Sequence, residues 1–332
     1  MNGKIIMISI FEQTYHNFRQ LYIITEGGNA VDNISEIFLE NIKPTLRDLQ
    51  KNVFNNLGIS NKRWTTVGST GKKQKSGDLD IALENSVLRQ LYPKITDDEK
   101  LLERFLLDLK FQDNIIDPVI IGGQIHFGYP IVGQPTENVQ IDIIPSNNLK
   151  WTKFRYYGPS EQESKYKGAH RSYILRSLLR NISIRKAENL DPQDDKPHIN
   201  RYGKKYPSIK YQYIKFGNDG IWSNVKTYRG KRGKIVLIPQ KVEEESYMLT
   251  DDFQKALDTI FKKGKYKEQQ FLYFEPIWNI IISDDFEYPQ FRKDIIENFV
   301  SQIEDDNDPK IKVPEEVKQY CKQNKIKIKT TK

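Results

Sequence analysis

The chain has 332 residues, of which 37% are hydrophobic and 29% charged, and its formal net charge is +8. These values are typical of a globular protein with a sizeable core and two domains, and they favour an anionic partner without distinguishing nucleic acid, nucleotide or acidic protein. The longest apolar runs are far shorter than the ~20 residues of a membrane-spanning helix, and Cys321 is the only cysteine. We therefore expect a cytoplasmic protein with no membrane partner, no disulfide framework and no cysteine-based zinc site.

The N-terminal half predicts two helices around a strand–turn–strand unit. Apolar residues at three- and four-residue steps over 32–57 predict an amphipathic helix that Pro44 kinks or splits. A short strand over 63–67, a Gly-Ser turn, a basic loop and a second strand starting at Asp78 follow. Residues 96–111 predict a helix that opens with a capping box.

The rest of the chain predicts two more strands, a long helix and a mixed C-terminal region. Strands are expected over 122–131 and 138–144, and a helix over 168–184 with one apolar and one basic face. Residues 191–197 are charged and contain proline, which is typical of a linker. Glycine turns between short β-prone runs predict hairpins in 201–241. Further helices are expected over 250–262, 288–303 and 314–323.

The stretch 67–83, V-G-S-T-G-K-K-Q-K-S-G-D-L-D-I-A-L, carries the clearest candidate site. Side chains alternate along a strand, so Asp78 and Asp80 are expected on one face and Leu79 and Ile81 on the other. Two carboxylates held on one face repel each other unless a cation lies between them, and a hard divalent cation such as Mg²⁺ is the usual partner. Neighbouring glycines and backbone N–H groups suit a phosphate. The stretch therefore predicts a site for a metal-bound nucleoside triphosphate.

A third carboxylate is expected beside this pair. Asp142 interrupts an otherwise apolar predicted strand, where a charge is costly without a partner. Two carboxylates on one strand and a third on a neighbouring strand can hold two Mg²⁺ ions, with Mn²⁺ as the alternative metal. One ion would hold the triphosphate, and the other would lower the pKa of an attacking hydroxyl. Taken alone, Asp142 also fits a residue at a strand edge.

These elements, in this order, resemble the DNA polymerase beta-like nucleotidyltransferase superfamily over about residues 30–185. The matching residues are Gly68-Ser69, Asp78-Leu79-Asp80 and Val139-Gln140-Ile141-Asp142, and the run Ser76-Gly77-Asp78-Leu79-Asp80 looks most like the polymerase X branch. The wider context resembles nucleotidyltransferases predicted in tailed phages, through Glu26-Gly27-Gly28-Asn29, Gly68-Ser69-Thr70-Gly71-Lys72-Lys73 and Ser164-Lys165-Tyr166-Lys167-Gly168. The resemblance implies a palm-like mixed sheet backed by helices.

The resemblance also implies a role for each motif residue. Asp78 and Asp80 would bind both metals, and Asp142 the metal on the nucleophile side. Phosphate contacts would come from the Gly-Ser turn, the basic loop and the helix after the third carboxylate; the candidates are Gly68, Ser69, Lys72, Lys73, Ser76, Lys165, Lys167 and Arg171. The loop departs from the superfamily pattern, because it has lysines where many members have an arginine. His126 and His170 are expected to be surface or packing residues.

The segment 201–241 is the most basic part of the chain, with eleven Lys and Arg, one acidic residue and seven aromatic residues. Basic residues interleaved with aromatic ones are typical of a nucleic-acid platform, because cations contact phosphates and rings stack on bases. The candidate residues for such contacts are Lys204, Lys205, Tyr206, Arg229, Lys231 and Arg232. The same composition fits a basic surface hairpin with aromatic residues in its core, or a contact surface for phage virion proteins.

Together these patterns predict an α+β protein with an N-terminal segment (1–30), a nucleotidyltransferase domain (31–190) and a basic, β-rich and helical domain (191–332). The expected activity is Mg²⁺-dependent transfer of NMP from an NTP such as ATP to a hydroxyl, with the 3′ end of RNA or DNA as the favoured acceptor. Two alternatives stay open. One is an enzyme that nucleotidylates a protein or small molecule, and the other is a non-catalytic phage protein, structural or packaged in the virion. If the chain is phage-encoded, its location is the host cytoplasm or the virion.

Overall fold

The computed structural model describes residues 30–188, 198–199, 205–206, 208–229, 243–306 and 308–326. It is a mixed α+β structure that divides into two compact units between Glu161 and Gln162. The sequence predicts the division later, between 190 and 191. The difference arises because the helix Gly168–Glu188 packs on elements that follow it in the chain. Within the described residues, no helix is long and apolar enough to cross a membrane.

A five-stranded mixed sheet is the centre of the first unit. The described strands of this unit are β1 (Ile37–Phe38), β2 (Trp64–Thr66), β3 (Lys75–Ser76), β4 (Asp78–Glu84), β5 (Ile116–Ile121), β6 (Gln124–Ile131) and β7 (Gln134–Ser146). The sheet has the order β2-β4-β7-β6-β5, and β1 pairs separately with β3. In the sheet, β4 and β7 run parallel, whereas the other neighbouring pairs are antiparallel. This topology places β4 and β7 side by side.

The two faces of the sheet are chemically different. Its helices are α1 (Leu39–Leu49), α2 (Asn85–Leu91), α3 (Asp98–Lys110) and α4 (Leu149–Arg155). One face buries Leu79, Ile81 and Ile141 in a core shared with α1, α2 and α3. The other face carries the small apolar cluster of Val67, Ala82 and Ile144, beside which the carboxylates lie. The sequence periodicity predicts this sorting, because alternate side chains of a strand point to opposite faces.

The first helix differs from its prediction at both ends. It begins at Leu39 rather than near residue 32, because Ile37 and Phe38 are taken up in the pairing of β1 with β3. Pro44 lies inside α1, and the helix continues past it to Leu49 before a π-helical turn. Proline removes one backbone donor, and the burial of Ile42 and Leu49 in the core offsets that loss. By contrast, α3 lies where it is predicted, but its N-cap is Asp97 rather than Thr96. The Asp97 carboxylate accepts a hydrogen bond from the Lys100 amide at 3.0 Å, so the predicted capping box of Thr96 and Glu99 is not the cap that forms.

The second unit combines helices with a three-stranded antiparallel sheet. Its described elements are α5 (Gly168–Glu188), β8 (His198–Ile199), β9 (Lys205–Tyr206), β10 (Ser208–Phe216), β11 (Ile221–Arg229), β12 (Glu243–Thr250), α6 (Phe253–Ile260), α7 (Phe274–Ile282), α8 (Arg292–Glu304) and α9 (Glu315–Gln323). The hairpin of β10 and β11 confirms the predicted hairpin in 201–241, and α6, α8 and α9 confirm three predicted helices. Sequence reasoning missed α7, a short helix whose buried residues Phe274, Ile277, Trp278 and Ile281 do recur at three- and four-residue steps.

Candidate functional site

The register of β4 and β7 brings the predicted carboxylates together. Asp80 pairs directly with Asp142, and Asp78 pairs with Gln140. Paired positions of adjacent strands present their side chains to the same face, so the three carboxylates share one face. Leu79 and Ile81 are fully buried on the opposite face. The expected alternation is confirmed, and Asp142 lies inside the sheet, between β4 and β6, rather than at its edge.

The Gly68-Ser69 turn packs directly against Asp80. Gly68 adopts a positive φ of 63°, and a Cβ added there would lie 2.1 Å from Asp80 Oδ2. Only glycine fits this position. Other residues rarely adopt this φ, and every other residue has a Cβ that would collide with the Asp80 carboxylate. The hydroxyl of Thr70 accepts a hydrogen bond from the Asp80 amide at 2.9 Å, and the Val67 amide donates to the Asp80 carbonyl at 3.0 Å. The Gly68-Ser69 turn and the strand β4, which carries Asp78 and Asp80, therefore hold each other in place.

The segment after α4 supports this turn from its other side. The Gly68 amide donates to the Tyr156 carbonyl at 2.9 Å, and the Gly158 amide donates to the Gly68 carbonyl at 3.1 Å. A Cβ on Gly158 would lie 2.8 Å from the Gly68 carbonyl carbon. Lys72 Nζ donates to the Gly158 carbonyl at 2.6 Å and lies 3.7 Å from the centre of the Tyr157 ring. Lys72 is thus tied to the support of the turn, a role that the sequence did not indicate.

Asp142 is held by two donors. It is only 8% exposed. His126 Nδ1 lies 2.8 Å from Asp142 Oδ1, and Gln140 Nε2 donates to the same oxygen at 2.8 Å. His126 is buried and pairs with Asp142 across β6 and β7. The sequence predicted His126 to be a surface or packing residue. Alternation along β6 does not identify Asp142 as its partner unless the register of β6 against β7 is known.

The negative charge of Asp142 changes the pKa of His126. Burial disfavours the imidazolium, but the hydrogen bond to Asp142 and the negative charge of that carboxylate outweigh it and raise the pKa of His126 above 6.5; the charge of Asp78 adds to this shift. The carboxylate can only accept, so Nδ1 carries the proton of this hydrogen bond. The negative charge of this face therefore favours the protonated form of His126.

The other predicted phosphate contacts of the first unit surround the turn. Ser69 and Lys73 are half-buried, next to Gly68 and Lys72 respectively. Ser76 is buried, and its hydroxyl has no hydrogen-bond partner among the residues that the structure describes. A buried hydroxyl without a partner is costly, so Ser76 remains a candidate for a ligand contact.

The three predicted phosphate contacts after the third carboxylate belong to the second unit, where each has a local partner. Only Arg171 lies on the helix α5, because Lys165 and Lys167 precede its first residue. Lys167 Nζ pairs with Asp308 at 2.9 Å, and Lys165 Nζ lies 3.6 Å from Glu316. Arg171, predicted on a basic face, is only 1% exposed, and its Nε donates to the Phe271 carbonyl at 2.7 Å. The basic face of α5 is corrected accordingly: Arg171 fastens the helix to its own unit.

The predicted nucleic-acid contacts fall outside what the structure describes. Lys204, Lys231 and Arg232 lie outside the described residues. Lys205, Tyr206 and Arg229 lie in β9 and β11, but their side chains are outside the described part as well. These six residues stay predictions.

The carboxylate face fits Mg²⁺ by donor chemistry. Carboxylate oxygens are the ligands that this hard cation prefers, and the register supplies three of them on two adjacent strands. No group of three or more His, Cys, Asp or Glu side chains is already arranged to hold a metal ion anywhere in the described ranges. Asp142 Oδ1 is taken up by hydrogen bonds instead.

Comparison with family models and with curated proteins finds no match to this chain. The geometry of the carboxylate face and of the turn beside it therefore carries the functional argument.

Proposed function

We propose that the first unit is a Mg²⁺-dependent nucleotidyltransferase with a palm-like sheet. The observation that carries this proposal is the parallel pairing of Asp80 with Asp142, with Asp78 on the same face and the Gly68 turn against Asp80. Three carboxylates beside a glycine turn are the donor set that a metal-bound triphosphate needs. The order of these elements along the chain supports the same reading.

The proposed reaction transfers a nucleoside monophosphate to a hydroxyl. The hydroxyl oxygen forms a bond to the α-phosphorus of the NTP, the bond from that phosphorus to the bridging oxygen breaks, and pyrophosphate leaves. Mg²⁺ bound at the site would neutralise phosphate charge and lower the pKa of the hydroxyl. Asp78, Asp80 and Asp142 would hold the metal, and a carboxylate of this face would take up the proton.

The Gly68-Ser69 turn would position the triphosphate. Gly68 has both its amide and its carbonyl engaged with Tyr156 and Gly158, so it fixes the turn. Ser69 would then offer its amide and hydroxyl to a phosphate, and Lys73 a positive charge. Lys72 would act mainly through the support of the turn, because Gly158 and Tyr157 hold its ammonium group.

We propose the 3′ end of a nucleic acid as the acceptor, and the argument for it is the positive charge of the chain. The chain carries a net charge of +8, and the segment 201–241 alone has eleven basic residues and one acidic residue. A basic surface interleaved with aromatic residues favours a single-stranded nucleic acid, because rings stack on unpaired bases.

Labelled NTPs test the proposal. Each α-labelled NTP is offered to the full chain with RNA, DNA and protein acceptors, with and without Mg²⁺, alongside an Asp78→Ala/Asp80→Ala variant. The proposal predicts Mg²⁺-dependent label on a nucleic-acid 3′ end that the variant does not produce. Label on protein alone would identify a protein-modifying enzyme, and no metal-dependent label on any acceptor would favour a non-catalytic phage protein.

A further inference from the structure

We infer that His126 and Gln140 are positioning residues that fix one oxygen of Asp142 and leave the other for a ligand. The inference rests on the proposed function, since it assigns the ligand to the metal of that reaction. Neither residue is one of the three carboxylates of the superfamily pattern, and neither would touch the reacting atoms. Both would act through Asp142.

The hydrogen bonds to Asp142 are asymmetric. His126 Nδ1 and Gln140 Nε2 both lie 2.8 Å from Oδ1. No hydrogen bond from any described residue reaches Oδ2 of this carboxylate. Two donors on a single oxygen resist rotation of the carboxylate about its Cβ–Cγ bond. The geometry therefore keeps Oδ2 available while the group stays fixed.

The two donors are themselves fixed. Gln140 is buried, and its Oε1 accepts a hydrogen bond from the Ala30 amide at 3.0 Å. Because the carbonyl end of the Gln140 amide is taken, its Nε2 is turned to Asp142. The second ring nitrogen of His126, Nε2, lies 3.3 Å from the Ile121 carbonyl. Each donor thus has a backbone contact that sets its direction.

The order of the strands places His126 on the opposite side of Asp142 from the strand that carries Asp78 and Asp80. Asp142 lies on β7, which has β4 with Asp80 on one side and β6 with His126 on the other. His126 therefore approaches Asp142 from the side opposite Asp80. Groups that hydrogen-bond a metal-ligating carboxylate in this way typically change metal affinity or activity about 10–100-fold when they are removed.

Side-chain variants separate positioning from simple packing. His126→Phe keeps a planar ring but removes the donor, whereas His126→Asn keeps an N–H donor close to the place of Nδ1. Gln140→Leu removes the second donor at similar size. Tyr129→Phe is the matched control, because it deletes a part-buried hydrogen bond of another β6 residue, from the Tyr129 hydroxyl to Asp48 at 2.8 Å, without reaching Asp142.

The primary measurement is the affinity of the full chain for Mn²⁺. Electron paramagnetic resonance monitors the binding, with and without a non-reactive ATP analogue. We expect His126→Phe and Gln140→Leu to weaken Mn²⁺ binding about tenfold or more. His126→Asn should recover most of the loss, and Tyr129→Phe should bind as the wild type does. In transfer assays His126→Phe should raise the Mg²⁺ concentration for half-maximal rate while the KM for NTP changes less.

Wild-type Mn²⁺ binding by both His126→Phe and Gln140→Leu would overturn the inference and leave the proposed function standing. Equal weakening in His126→Phe and His126→Asn would also overturn it, because a packing defect is not rescued by a donor. Circular dichroism verifies folding, and if His126→Phe does not fold, Gln140→Leu against Tyr129→Phe decides. A wild-type chain that binds no Mn²⁺ in either condition would overturn the metal-dependent function together with the inference.

Discussion

Asp80 and Asp142 occupy directly paired positions on the parallel strands β4 and β7. Parallel pairing places both side chains on the same face of the sheet, and alternation along β4 adds Asp78 to that face. A one-residue shift in register would turn Asp142 towards the apolar core instead. This pairing therefore makes a single acidic site from two separate stretches of sequence.

Substitution of Gly68 tests the contact between the turn and Asp80. In Gly68→Ala the new Cβ would lie 2.1 Å from Asp80 Oδ2, so either the carboxylate or the turn must move. A displacement of about 1 Å at reacting groups can lower a rate about a hundredfold. We expect a loss of that size in the rate of NMP transfer, measured in single-turnover assays.

Gly71→Ala is the control for backbone strain. Gly71 also has a positive φ, 76°, but a Cβ there would meet no atom within 4 Å. Both variants should lose about 1–2 kcal/mol of unfolding free energy from the left-handed conformation. If Gly71→Ala impairs transfer as severely as Gly68→Ala, strain in the loop rather than the contact with Asp80 explains the loss.

Gly158 gives a second test of the turn without backbone strain. A Cβ there would lie 2.9 Å from the Ser69 amide nitrogen and would press on the turn from behind. We expect Gly158→Ala to raise the KM for NTP more than it changes the response to Mg²⁺, because the turn is assigned to the triphosphate. Gly77→Ala is matched to it, since a Cβ at Gly77 meets no atom within 4 Å. An unchanged KM in Gly158→Ala would contradict the assignment of the turn.

The lowered pKa of His170 predicts how the stability of the protein depends on pH. Burial lowers the pKa of His170 below 6.5, with the charge of Lys167 acting in the same direction, while the carbonyls of Lys312 and Lys167 and the charge of Asp306 oppose it. The unfolded state then binds more protons as pH falls below about 6.5, so His170 contributes a loss of stability in that direction.

His170→Phe should remove this contribution. The variant keeps a ring beside Tyr166 and Phe274 but loses the bond to the Lys312 carbonyl, so it should be less stable at pH 8 by about 1 kcal/mol. Between pH 7 and pH 5 it should lose less additional stability than the wild type. Urea unfolding of both proteins at several pH values measures the difference, and parallel pH profiles would count against a buried neutral histidine.

Local patterns in the sequence predicted a large part of the site. Alternation placed Asp78 and Asp80 opposite Leu79 and Ile81, and the apolar run around Asp142 predicted its strand. These features depend on neighbouring residues alone, so they can be read from the chain.

The remaining features depend on contacts between distant segments. The bond of His126 to Asp142 requires the register of β6 against β7, and register follows from the packing of the whole sheet. Arg171 looked like a surface cation, yet it is buried because a backbone carbonyl of Phe271, far along the chain, accepts its Nε proton. Periodicity cannot reveal which arginine of a helix finds such a partner.

The most direct test of the acidic site compares the two paired carboxylates with a third outside it. Asp80→Asn and Asp142→Asn remove one charge each, and Asp108→Asn is the control, since Asp108 accepts hydrogen bonds from Tyr92 and Arg104 on the helical side of the unit. With Mg²⁺ and NTP, both site variants should lose about a hundredfold or more of the transfer rate, whereas Asp108→Asn should lose stability alone. Full Mg²⁺-dependent transfer by Asp142→Asn would contradict the assignment of Asp142 to the same site as Asp80.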